Sequence, residues 1–102
     1  MGRILYGSQE REIEIDDRSL AHVQLVIVAK LRRQECFTFS WASTDDDVRA
    51  TVWLHPAIPL QFQFDSIRTP EINPRWVSDL NLVAARGDLR ITEEPTAGPA
   101  RG

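Results

Sequence analysis

Residues 20–31, LAHVQLVIVAKL, form the longest apolar run of the chain and set its organisation. Leu20, Val23, Ile27 and Leu31 recur at helical spacing, while Arg18, His22 and Arg33 fall on another side. Ala21, Leu25 and Val28 widen the stripe, which predicts a deeply buried helix. The β-branched string VQLVIV also suits a strand. Length, an Asp or Ser cap among residues 16–19 and the basic residues 30, 32 and 33 at the far end decide for helix.

Elsewhere the period is two. Residues 3–6 and 11–15 read as a hairpin around Gly7-Ser8, with Ile13 and Ile15 alternating with Glu12 and Glu14. In residues 35–41, Phe37, Phe39 and Trp41 point one way and Cys36, Thr38 and Ser40 the other. Residues 48–55 place Val48, Ala50, Val52 and Leu54 inside and Arg49, Thr51, Trp53 and His55 outside. After a link bracketed by Pro56 and Pro59, residues 60–64 turn Leu60, Phe62 and Phe64 inward and Gln61 and Gln63 outward. These three strands are expected to form an antiparallel meander.

A second helix has clearer ends, with Asn73 as cap, Pro74 in the first position and Gly87 just beyond the end. Trp76, Leu80 and Val83 form its stripe, and residues 88–92 can add a last strand. The expectation is ββαβββαβ: an α+β domain, residues 1–92, with one antiparallel sheet of five or six strands and two helices on one face. Residues 93–102 lack apolar periodicity and read as a flexible tail.

Composition narrows the function classes. A length of 102 residues with 42% hydrophobic and 26% charged positions fits one globular domain too small for a large buried cleft. A net charge of −3 gives no global field toward nucleic acid or anionic membrane. The single Cys36 excludes an internal disulfide and fits a reducing, cytoplasmic compartment. No signal peptide is visible, and His22, Gln24 and Lys30 interrupt the apolar run too often for a membrane span.

Candidate chemistry is sparse. The acids Asp45, Asp46 and Asp47 lack the spacing of a calcium loop and read as a solvated hairpin tip. His22, His55 and Cys36 have no local clamp spacing, so no metal and no cofactor is expected. There is no glycine-flanked serine elbow, phosphate-binding loop or dinucleotide fingerprint, and no catalytic set is found. The basic cluster Lys30, Arg32 and Arg33 reads as the last turn of a helix, though Arg32 and Arg33 can reach an acidic partner. The candidate surface is the outer sheet face, with Thr38, Ser40, Arg49, Thr51, Trp53, His55, Gln61 and Gln63. An exposed indole among polar side chains can stack a base, or anchor a peptide or a second subunit.

Several strings carry a resemblance: residues 16–22 (DDRSLAH), 30–33 (KLRR), 37–41 (FTFSW), 52–56 (VWLHP) and 58–60 (IPL), with Ile72, Asn73 and Trp76. Over residues 3–92 they resemble a small actinobacterial domain-of-unknown-function family, some members of which carry the genome label "ATP-dependent DNA ligase". Ligases of that type carry the adenylate on the lysine of a Lys-x-Asp-Gly string. The only lysine here reads Lys30-Leu31-Arg32-Arg33, so no catalytic residue transfers. The expectation is a non-enzymatic module that binds a protein partner or a second copy of itself. The alternative is an accessory nucleic-acid-binding protein linked to DNA repair, which the acidic charge does not favour.

Overall fold

The computed structural model describes residues 1–43 and 47–95; Asp45 and Asp46, and residues 96–102 of the expected tail, lie outside the described residues. The order is β1 (Gly2–Tyr6), β2 (Arg11–Ile15), α1 (Asp17–Arg32), β3 (Phe37–Ser43), β4 (Val48–Leu54), β5 (Leu60–Gln63), α2 (Pro74–Ala84) and β6 (Asp88–Arg90). This is the α+β succession that periodicity predicts.

Local chemistry explains the helix ends. The Asp16 carboxylate accepts from the Ser19 N–H at 3.0 Å and starts α1. Asn73 Oδ1 accepts from the N–H groups of Arg75 and Trp76, and Pro74 follows where a missing N–H costs nothing. Gly87, at φ 95°, supplies the left-handed residue that turns the chain from α2 into β6.

The strands pair differently from a single meander. They make two three-stranded sheets, β2-β1-β5 and β4-β3-β6. After the link at Pro56 and Pro59, β5 leaves β4 and pairs antiparallel with β1, Ile4 opposite Phe62. That register sets Phe62 beside Ile4 and Ile13 on one apolar row. In the other sheet β6 lies parallel to β3, Leu89 beside Phe39, and both residues are fully buried. The helices pack on each other, α2 against β6 and α1 against β1, so the helix pair serves both sheets. Gly2 allows the approach at β1, because a Cβ there would stand 2.7 Å from the Gln63 carbonyl oxygen and 2.6 Å from Leu20 Cδ2.

The core combines Ile4, Ile13 and Ile15 of one sheet with Phe37, Phe39, Leu54 and Leu89 of the other. Leu20, Val23, Val26 and Ile27 of α1 meet Trp76, Leu80 and Ala84 of α2 between them. Two expectations for α1 are overturned. Leu25 and Val28 are not buried: they stand 46% and 37% exposed, on a flank no other helix or sheet covers. His22 is not on a polar side but fully buried, its ring 4.5 Å from that of Trp76.

Candidate functional site: the outer face of the second sheet

In β3 and β4 the side chains that alternate with the core row share one face; Val48, expected inside, stands 47% exposed at the start of β4, beyond the reach of the core. Thr38 lies opposite Trp53, Ser40 opposite Thr51 and Ala42 opposite Arg49, while Asp88 and Arg90 of β6 sit beside Thr38 and Ser40. The core row beneath, Phe37, Phe39 and Leu54, is buried and holds this face in register.

The polar side chains of the face are already bonded to one another. Asp88 Oδ1 accepts from Thr38 Oγ1 at 2.6 Å and from Ser40 Oγ at 2.9 Å, and its Oδ2 accepts from Arg90 Nε at 2.7 Å. Ser40 Oγ is also 2.8 Å from Thr51 Oγ1. A carboxylate only accepts, so the Ser40 proton goes to Asp88 and Thr51 donates to Ser40. The hydroxyl of Thr38, then Arg90, holds the Asp88 carboxyl below its ordinary range. The acceptor of the Ser40 proton is thus the Asp88 carboxylate, which Thr38 and Arg90 engage as well.

Beside this network the Trp53 indole is 53% exposed. Its backbone carbonyl accepts from the Tyr6 hydroxyl, which ties β4 to the neighbouring sheet. Toward the other end of the strands, Ser40, Ala42, Arg49, Thr51 and Arg90 line a cleft of about 550 Å³ whose remaining wall includes Glu14, Ile15 and Asp16. Two guanidinium groups and two hydroxyls therefore border a space large enough for a small ligand or a peptide side chain.

The structure does not gather all the expected residues. Arg49, Thr51 and Trp53 share the face with Thr38 and Ser40. Gln61 and Gln63 belong to β5 in the other sheet, where Gln63 Oε1 accepts from Arg3 Nη1 at 3.2 Å. His55 follows the end of β4, and its Nδ1 accepts from the Ala57 N–H at 3.0 Å in the link toward β5. Alternation along β5 could not reveal that its polar row lies in a different sheet. Asp88 and Arg90, missed from the sequence, stand in the right alternation, but only the parallel pairing brings them to Thr38 and Ser40.

The basic cluster is largely neutralised. Glu35 accepts from Lys30 Nζ and Arg33 Nε, each at 2.8 Å, and these cations pull its carboxyl down to about 2. Lys30 is buried, its ammonium 5.3 Å above the Phe37 ring, and of the exposed Arg32 and Arg33 only Arg32 has no ion pair among the described residues. Among the described residues no group of three His, Cys, Asp or Glu side chains could hold a metal ion. No helix among the described residues is long and apolar enough to cross a membrane.

No curated protein and no solved structure matches this chain. A family model described as "Domain of unknown function (DUF7882)" matches residues 1–94, from β1 through β6 to the Glu94 carboxylate that Arg18 and Asn73 hold. The chain belongs to that DUF7882 family.

Proposed function

We propose that the chain is a non-enzymatic binding module that recognises a protein partner, or a second copy of itself, with the face of β4, β3 and β6 around Trp53. The observation that carries this reading is the half-exposed indole beside hydroxyl and carboxylate groups ordered without any ligand. A rigid aromatic loses little conformational freedom on binding, and groups already in place need no further ordering. Arg49, which has no ion pair among the described residues, adds a cation at the rim.

The alternative in DNA repair is less well supported. Lys30 and Arg33 are both spent on Glu35, and counterion release needs several free cations on one surface. Lys30, buried and ion-paired, is also a poor nucleophile for an adenylate. An exposed free thiol at Cys36 suits a reducing, cytoplasmic setting.

The test is Trp53→Ala, a change at an exposed position expected to cost under about 0.5 kcal/mol of stability. Light scattering and affinity capture with wild-type and variant protein as baits are compared. Loss of self-association, or of a captured protein, is expected. An unchanged mass together with an unchanged set of captured proteins overturns the assignment.

A further inference from the structure

Away from Trp53, uncovered apolar carbon also gathers on the free flank of α1, at Leu25 and Val28. The buried Ala21 and the half-exposed Leu25 and Val28 follow one another at helical spacing along about 10 Å of that flank. Across from them Ile67 is wholly exposed. Between the two runs a groove of about 290 Å³ is lined by Ala21, Leu25, Phe64, Ile67 and Ile72, with Arg68 the one ionised side chain in its lining.

The groove is held in shape by polar contacts of its own walls. Asp17 Oδ1 accepts from the Asp65 N–H and Oδ2 from the Ser66 N–H, both at 3.2 Å, so the first turn of α1 clamps the facing segment. Ser66 Oγ accepts from the Arg68 N–H at 3.1 Å. At the other end the Asn73 N–H is bonded to the buried His22 at 2.8 Å. Apolar surface kept open by its own hydrogen bonds is surface prepared for an occupant.

Charge identifies the occupant. Arg68 beside the groove and Arg32 at the far end of the same helix flank are exposed, and neither has an ion pair among the described residues. A second copy would bring the same two cations and no carboxylate from its own groove lining. We propose that this groove receives an amphipathic helix of another protein, with an apolar stripe toward Leu25, Val28 and Ile67 and carboxylates toward Arg68 and Arg32. A helix laid in an apolar groove presents side chains at i, i+4 and i+7, which matches the spacing along α1.

The experiment uses the full chain and a fluorescent synthetic helix of about sixteen residues, with leucine at i, i+4 and i+7 and glutamate on both flanks. A twin carries lysine in place of each glutamate. Anisotropy is expected to show the glutamate helix binding at least about tenfold more tightly than its twin, and Arg68→Glu with Arg32→Glu to erase that preference. Ile67→Ser and Leu25→Gln are each expected to weaken binding by about tenfold, with circular dichroism confirming the fold. Backbone amide shifts should fall within residues 21–28 and 64–72. No binding of the glutamate helix, equal binding of the twin, shifts elsewhere, or a dimer dispersed by Ile67→Ser overturns the proposal. Trp53→Ala is expected to leave this binding unchanged, so the two surfaces fail or stand separately.

Discussion

Along one flank of α1 the polar atoms are matched one to one, while along the other, apolar carbon faces water. On the closed flank the His22 Nδ1 lies 2.7 Å from the Arg18 carbonyl oxygen, which can only accept, so Nδ1 carries the proton. Nε2 is then the acceptor for the Asn73 N–H. Asn73 in turn caps α2 and donates through Nδ2 to Glu94 at 2.9 Å and to the Pro95 carbonyl at 3.1 Å. Arg18 closes the loop, donating to Glu94 Oε1 at 2.6 Å and to the Glu71 carbonyl at 2.9 Å. The open flank, Leu25 and Val28, has no such set. One helix thus buries an imidazole and exposes a leucine. Burial here follows which partners the topology supplies more than the hydropathy of the residue.

The sharpest way to break that comparison is His22→Ala. It removes the ring that faces Trp76 and strands the buried Asn73 N–H and Arg18 carbonyl. A loss of about 3 kcal/mol is expected in urea unfolding. A loss below about 1 kcal/mol would mean that water replaces both hydrogen bonds.

A smaller effect is expected from acid. Arg18 first, and then Asn73, hold the Glu94 carboxyl at about 2 against an ordinary 4.5. The folded value lies below the unfolded one, so its stabilisation is complete above about pH 4.5 and disappears as pH falls toward 2. Glu94→Gln is expected to flatten the acid limb of the stability curve across that window and to leave the Glu35 contribution in place. Urea midpoints at stepped pH read it directly.

The smallest effect belongs to the open flank. Leu25→Gln keeps helix propensity and removes an apolar group that is half in water, so stability should change by under about 0.5 kcal/mol. A loss of the His22 magnitude would show that this flank is covered in solution.

These contrasts mark what the sequence carried. The alternation of Phe37, Phe39 and Leu54 with Thr38, Ser40 and Trp53 was legible because the period of two fixes the face each residue takes. The caps Asp16 and Asn73 were legible because cap chemistry is local. Neither period nor cap names a neighbour. The pairing of β5 with β1 and of β6 with β3 depends on contacts between residues far apart in the chain, and with it the company of Asp88, Gln61 and Gln63. His22 was misplaced for the same reason: its partners, Asn73 and Trp76, arrive from α2.

The strand pairing also orders events during synthesis. The amino-terminal hairpin is a two-stranded ribbon, marginal in water, until β5 emerges from the ribosome to flank it. The β3–β4 ribbon waits longer still, because Leu89, which seals Phe39, is among the last residues of the fold to be translated. A nascent chain halted before β6 would therefore display its aromatic row to whatever chaperones and proteases meet it.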